Sequence, residues 1–351
     1  MTSHMAPLGP PRGAGWHAWS MRRPFALFAG TLLAGPLLVG AFTLSVATPA
    51  SADEGDQGFT ISDPRITESS GLAASRQHPG IYWTHNDQDT GAYLYAVDSS
   101  TGKTVARITM TGVGTPRDVE AISIGPDNQI WVGDIGDNDG VTWPYVWIYK
   151  LPEPKDLKDQ TVKATQYVVK YSDGSRDAES MVVHPKTGRV YIIDKQEDGG
   201  HLYEGPAELS PSGTNVFKPA VPVDMWATDA AFSPDGRTLA VRGYFGGIAY
   251  DWNGGKLKRL ERISVPLGQG ESASYSTDGT KLMLGSEGVG SAVVAKDAPG
   301  AAGSSDSSSG GGSSATSDDG SGGLDGNIKV GAAVVIACVV LFGMRRLLRR
   351  R

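Results

Sequence analysis

The chain has 351 residues, 39% of them hydrophobic and 47 of them glycine, enough apolar side chains for a large core interrupted by many turns. Its one cysteine, Cys338, excludes an intramolecular disulfide. All 38 acids lie between Asp53 and Asn327, whereas nine of the 32 basic residues lie outside, so this stretch has a net charge near −15, which disfavours nucleic acid and anionic lipid as its partners and suits cations.

In chain order, Met21-Arg22-Arg23 precedes an apolar stretch from Pro24 to Ala47 and then Pro49-Ala50-Ser51-Ala52. A basic head, an apolar middle and an A-x-A site predict a signal peptide over 1–52, cleaved after Ala52. The alternative is an uncleaved signal anchor, because the apolar run is long. The residues ahead of Met21 read either as an extended basic head or as a start placed too early.

From Ser70 the sequence repeats itself. Five segments align on an apolar run and the turn after it: SGLAASRQHPGIYWTHND from Ser70, EAISIGPDNQIWVGDIGDN from Glu120, ESMVVHPKTGRVYIIDK from Glu179, TDAAFSPDGRTLAVRG from Thr228 and ESASYSTDGTKLMLGSEG from Glu271. Each reads as strand, Pro/Asp/Gly turn, strand. Third strands follow (AYLYAVD, YVWIYKL, HLYEGP, GIAYDW, SAVVAKD), and several segments add a fourth, as in TVARITM, QYVVKYS and LKRLERISV. The starts are 50, 59, 49 and 43 residues apart, close to the roughly 40–50 residues of a four-stranded propeller blade. The pattern predicts an all-β, five-bladed β-propeller over 53–297. The last segment lacks a fourth strand, and the spare FTISDPRI (Phe59–Ile66) is expected to complete it and close the ring. A two-sheet sandwich would give no register-preserving repeat.

After the body comes a Gly/Ser/Asp-rich linker over 298–327, too polar to bury a core, with a reach of roughly 30 Å. Residues 328–344 are apolar except for Lys329, and five arginines crowd the tail 345–351. This predicts a transmembrane helix with its C-terminus inside, hence a single-pass type I protein of the cell membrane with the body on the extracellular side.

Alignment puts Ser70, Glu120, Glu179, Thr228 and Glu271 at one height on the innermost strands, around the axis. Three carboxylates in a narrow channel need neutralising. An all-oxygen set with no aligned histidine points to Ca²⁺ as cofactor rather than zinc. The alternative is that the acids cap backbone amides at the channel mouth. The loops on the same face supply a candidate ligand-binding set: Asn86, Asp87, Arg117, Asp134, Asp137, Asn138, Arg176, Asp194 and Arg242. Within it, Asn86, Asp134, Asp194, Arg242 and Ser286 align as a second, wider ring. Arg117 and Arg176 open two nearly identical loops, Arg-Asp-Val-Glu and Arg-Asp-Ala-Glu, and either bind an anionic group or pair with the Asp beside them. The aromatics of Val141–Tyr149 offer a sugar or peptide surface, or blade-packing core.

The phrases SSGLAAS, WTHND, RDVEAI, GDIGDN and SRDAESMVVHPKTGRVY resemble those of exported actinobacterial propeller proteins, often described as WD-repeat-like or TolB-like. The likeness covers roughly Ile66 to Gly205. Separately, the axial set is similar to that of the calcium-activated nucleotidase (apyrase) family, whose five-bladed propeller holds an axial Ca²⁺. That resemblance implies a metal-dependent phosphoester or nucleotide hydrolase, although no extended match to the nucleotide loops of that family is seen. The sequence as a whole favours a membrane-tethered, monomeric binding module for a small molecule or an envelope protein, with the hydrolase as the alternative and no catalytic residue assigned.

Overall fold

A computed structural model describes residues 57–87, 91–138, 140–265 and 270–300. The predicted signal peptide, transmembrane helix and basic tail lie outside the described residues, as does all but the start of the linker. The described part is all-β and propeller-like. Among the described residues there is no helix, and so none long and apolar enough to cross a membrane.

After a short β1 (Phe59–Thr60), the strands fall into repeated antiparallel units. The first is β2 (Ser69–Ala74), β3 (Ile81–Asn86), β4 (Tyr93–Asp98) and β5 (Lys103–Thr111). The second is β6 (Val119–Ile124), β7 (Gln129–Asp134), β8 (Val146–Pro152) and β10 (Thr165–Tyr171), with β9 (Gln160–Lys163) in the connection before β10. The third is β11 (Ala178–Val183), β12 (Val190–Asp194), β13 (Gly200–Glu204) and β14 (Thr214–Val223), and the fourth β15 (Ala227–Phe232), β16 (Thr238–Gly243), β17 (Gly246–Asn253) and β18 (Lys256–Ile263). The last is β19 (Gly270–Tyr275), β20 (Lys281–Ser286) and β21 (Ala292–Asp297), to which β1 adds antiparallel, Phe59 opposite Val293.

Why the units stay upright is visible in their sequences. Apart from the residue at their second position, their first strands, such as Ser-Gly-Leu-Ala-Ala and Ser-Met-Val-Val, are small or apolar because a neighbour covers both faces. The outer β5 alternates instead, burying Ala106, Ile108 and Met110 and leaving Arg107 and Thr109 between them half-buried. The apolar core is divided among five clusters, each lying between successive units. The cluster of Phe59, Ile61, Ile66, Leu72, Tyr82 and Met283 joins the last unit back to the first. First strands pack around a closed circuit, β2 on β6, β6 on β11, β11 on β15, β15 on β19, and β19 on β2. Hydrogen bonds run between them: Val183 N donates to Ser123 Oγ (3.1 Å) and Ala74 N to Ser274 Oγ (3.0 Å).

The hairpin turns repeat too. In Ser-Pro-Asp-Gly and Ser-Thr-Asp-Gly, Asp235 and Asp278 accept from the preceding serine hydroxyl at 2.6 Å, while Gly236 and Gly279 take positive φ. The second unit puts Asn128 in that left-handed position, the residue type that tolerates it after glycine.

Two elements differ from the sequence expectation. The closing strand is two residues long rather than the whole of Phe59–Ile66, because Asp63 and Pro64 break it: the Asp63 carboxylate takes the backbone N–H of Arg65 at 2.9 Å and turns the chain. The third unit has a full fourth strand, β14, that its sequence hid. Pro219 and Pro222 lie there beyond the stretch Thr214–Phe217 that pairs in parallel with β10, at an edge that has no further ladder to supply.

Candidate functional site

The five predicted axial residues each occupy the second position of a first strand, and each sits at a β-bulge. Pairing jumps from Val119↔Asp134 to Ala121↔Gly133, from Ala178↔Asp194 to Ser180↔Ile193, from Ala227↔Gly243 to Asp229↔Arg242, and from Gly270↔Ser286 to Ser272↔Gly285. The extra residues are Glu120, Glu179, Thr228 and Glu271. In the first unit the same jump, between Ser69↔Asn86 and Leu72↔Thr84, takes in Ser70. A bulge re-aims one side chain out of the ladder, and here it recurs at one height in every unit. All five residues are at most 6% exposed. Thr228 donates its hydroxyl to the carbonyl of Gly270 on the neighbouring strand (2.8 Å).

The three glutamates have different company. Glu179 accepts from the Lys195 ammonium, a pair buried on both sides. Burial works against the charge on Lys195, but Glu179, Tyr244 and Glu120 more than offset it, so its pKa lies above the ordinary lysine value. Glu271 lies in the field of the buried Arg242 guanidinium, whose pKa burial lowers to about 10 against the pull of Asp229 and Glu271. Glu120 instead has acids around it. One carboxylate oxygen from each of Asp87, Asp118 and Glu120 lies within 4.8 Å of the others. Burial, then Asp118, drives the Asp87 carboxyl up to about 9, and burial raises Asp118 to about 6 although its hydrogen bond with Asp87 opposes this. Glu120 is likewise raised, by burial first and by Asp87, Glu179 and Asp118 after it. The Asn138 amide reaches both Asp118 and Glu120 at 3.4 Å.

Most of the predicted ligand-binding set is spent within the fold. Asn86 Oδ1 accepts from the N–H groups of Thr67 and Glu68, and Asp134 does the same for Arg117 and Asp118 one unit later while also taking the Tyr149 hydroxyl at 2.5 Å. These two side chains brace the loops leading into β2 and β6. Asp194 accepts from His201 N, and Asp137 holds Trp143 N at 2.7 Å. Arg117 is stacked between Trp143 and Trp147, 3.8 and 3.9 Å from their ring centres, and donates to Tyr145 O. Arg176 bonds Tyr203, Ser175 O and Asp173 rather than its neighbour Asp177. Arg242 is buried against Gly270 and Ser272 O, and the register puts Gly243 rather than Arg242 opposite the start of its first strand, correcting its place in the wider ring. Asp87 and Asn138 are the members that face the carboxylates.

Two residues missed by sequence reasoning, Gly136 and Lys195, lie one step further along the same loops, at the place that the predicted Asp87 holds in the first unit. The N–H of Asp87, Gly136 and Lys195 donates to the carbonyl of Glu68, Asp118 and Asp177 respectively, so these three are equivalent positions. One carries an acid, one a cation, and one no side chain. A Cβ on Gly136 would overlap Asp118 Oδ2 and come within 2.9 Å of Glu120 Oε1. Asp118 itself had a signal, since Asp recurs two residues before Glu120 and before Glu179. Lys195 had none, because one charge among Asp-Lys-Gln-Glu looks like an ordinary turn.

Towards the C-terminal ends of the first strands, away from the carboxylates, lies a cavity of about 310 Å³ lined by all five of them, including Leu72, Ile122, Val183, Ala231 and Tyr275.

No protein-family profile and no curated protein matches the chain. Solved structures similar to it include U3-55K (TM-score 0.38, 12% identity, covering 68% of this chain and 98% of that one). The RRP9 WD40 repeats match at TM-score 0.38 and 12% identity, covering 71% and 99%. A putative 6-phosphogluconolactonase from Bacteroides uniformis matches at TM-score 0.38 and 14% identity, covering 67% and 69%. Likeness of this order adds nothing to the strand topology already described.

Proposed function

We propose that the chain is a five-bladed β-propeller, each antiparallel unit one blade, tethered to a membrane by residues 328–344 and acting on the extracellular side as a ligand- or protein-binding module. It takes Ca²⁺ at the carboxylate end of its axis. The observation that carries this reading is the bulge repeated five times, which sets three buried glutamates and two hydroxyls at equivalent places on the first strands. Burying like charges at one end of the first strands makes physical sense when cations join them. The donors are hard oxygens, which suit Ca²⁺ over zinc. The hydrolase alternative is less favoured, because the guanidinium groups of Arg117 and Arg176 are occupied by tryptophans, Tyr203 and Asp173 rather than poised for a phosphate.

Thermal unfolding of the full chain in detergent, with Ca²⁺ or with a chelator, tests the reading. At a hundredfold excess over Kd, a ligand bound only by the folded state adds about 2.7 kcal/mol, a rise of several degrees in a domain of this size. An unchanged melting temperature up to millimolar Ca²⁺ would remove the cation from the account.

A further inference from the structure

We infer that the cation sits to one side of the carboxylate end, on Asp87, Asp118 and the single ring member Glu120 with the Asn138 amide, and is not shared by the ring as a whole. This deepens the cation reading above and rests on it.

The ring is not uniformly short of positive charge. Lys195 is bonded to Glu179, the one ring glutamate with a bonded counter-ion, and Arg242 lies in the field of Glu271 and Asp229. The Lys195 ammonium, held by Glu179, acts on Glu120 only through its field. The deficit is therefore concentrated between the first two units, where Asp87, Asp118 and Glu120 bring oxygens within 4.8 Å of one another, a span that ligands of one metal ion occupy.

Two further observations point to a ligand there. Glu179 uses Oε1 for Lys195, while its Oε2 is buried without a hydrogen-bond partner, and the charge of Glu179 bears on both Asp87 and Glu120. A buried carboxylate oxygen left bare in the field of two further acids is costly without a cation to face. Second, the position that carries Asp87 in the first unit and Lys195 in the third is Gly136 in the second. Where the other units project a side chain, the carboxylates of Asp118 and Glu120 come up against bare backbone instead, so nothing but glycine lets them approach there.

The donor set defines the ion. Three carboxylates supply three to six oxygens depending on denticity, and Asn138, its amide turned by 180°, presents Oδ1 where its NH₂ now reaches Asp118 and Glu120. With water, that makes the six to eight hard oxygens of Ca²⁺. Lys195 is then a positioning residue that holds Glu179 at the margin of the site.

Calorimetric titration of CaCl₂ into the full chain in detergent separates the two placements. With the ion to one side, Asp118→Asn weakens binding at least about tenfold, the lower range for disturbing a metal site, while Glu271→Gln binds as wild type does. A large loss in Glu271→Gln with wild-type binding in Asp118→Asn would overturn the inference and return the ion to the ring. Absence of binding to wild type would instead defeat the cation reading itself. Should Asp118→Asn not fold, Asp87→Asn is read in the same titration: weakened binding supports the site to one side, and unchanged binding overturns it.

Discussion

The ammonium of Lys195 is bonded to Glu179 Oε1, and both side chains are more than nine-tenths buried. This pair puts a protein-borne cation inside the axial carboxylate set. Breaking a buried pair by removing one partner leaves a bare charge and costs about 3–5 kcal/mol, whereas replacing both by neutral groups is often tolerated. Lys195→Met therefore lowers the unfolding free energy in urea by several kcal/mol in the absence of calcium, and Lys195→Met/Glu179→Gln recovers most of that loss. A single variant as stable as wild type would mean that the pair is not charged.

Gly136 makes a sharper probe of the candidate site than any carboxylate does. Its backbone φ is not in the left-handed region, so alanine brings no conformational penalty of its own, only a methyl group against Asp118 and Glu120. Forcing an extra methyl into a packed site costs typically about 1–3 kcal/mol. Gly136→Ala is expected to lose stability in that range and to weaken calcium binding at least about tenfold. Gly114→Ala is the control: the nearest atom to its added Cβ is Gln166 Oε1 at 3.8 Å, and its stability and calcium binding stay at wild-type values.

The repeat was legible because it is written in features that survive without an alignment. These are small-apolar first strands, Pro/Asp/Gly turns and a spacing that keeps one residue per unit at the bulge. Ser70, Glu120, Glu179, Thr228 and Glu271 could be aligned for that reason. What was not legible depends on which way a side chain leaves its loop. Asn86 and Asp134 look like ligands in the sequence, and their carboxamide and carboxylate turn back to brace backbone N–H groups. Asp87 and Lys195, one residue later, turn the other way. The second unit has an additional residue, Ile135, before Gly136 takes the equivalent place, which shifts its pattern by one. Strand β14 was hidden by its prolines, which only the edge position makes acceptable.

Asp63 gives a pH signature far from the axis. Hydrogen bonds from the Arg65 side chain outweigh burial and hold its carboxyl down at about 2. A group whose folded pKa lies below its unfolded value near 4 binds fewer protons in the folded state between those values. Its contribution is complete above pH 4 and disappears as pH falls towards 2. Arg65 is 47% exposed, so solvent screening reduces the contribution to about 1 kcal/mol. The stability gap between wild type and Asp63→Asn is thus about 1 kcal/mol at neutral pH and closes between pH 4 and 2. A gap that persists unchanged at pH 2 would place the effect elsewhere.

Closure of the circuit rests on a very short strand. β1 contributes two residues to the ladder with β21, and the fully buried Ile61 follows it, its N–H donating to Ser291 O at 2.9 Å. On the other side Ser62 donates to Gly102 O through both its backbone and its hydroxyl at 2.8 Å. Gly102 has φ +67, and a Cβ there would overlap Thr60 O. Ile61→Ala is expected to cost about 2–5 kcal/mol, and Gly102→Ala a comparable amount, since it adds left-handed strain to a clash with backbone that cannot rotate away. The two act on one event, release of the closing segment from its neighbours. Once either change has freed it, the other has little left to disturb, so the double variant falls short of the sum by more than about 0.5 kcal/mol, beyond what independent sites show. Strict additivity in urea unfolding would mean that the segment and the Gly102 turn are held separately and that closure does not depend on their contact.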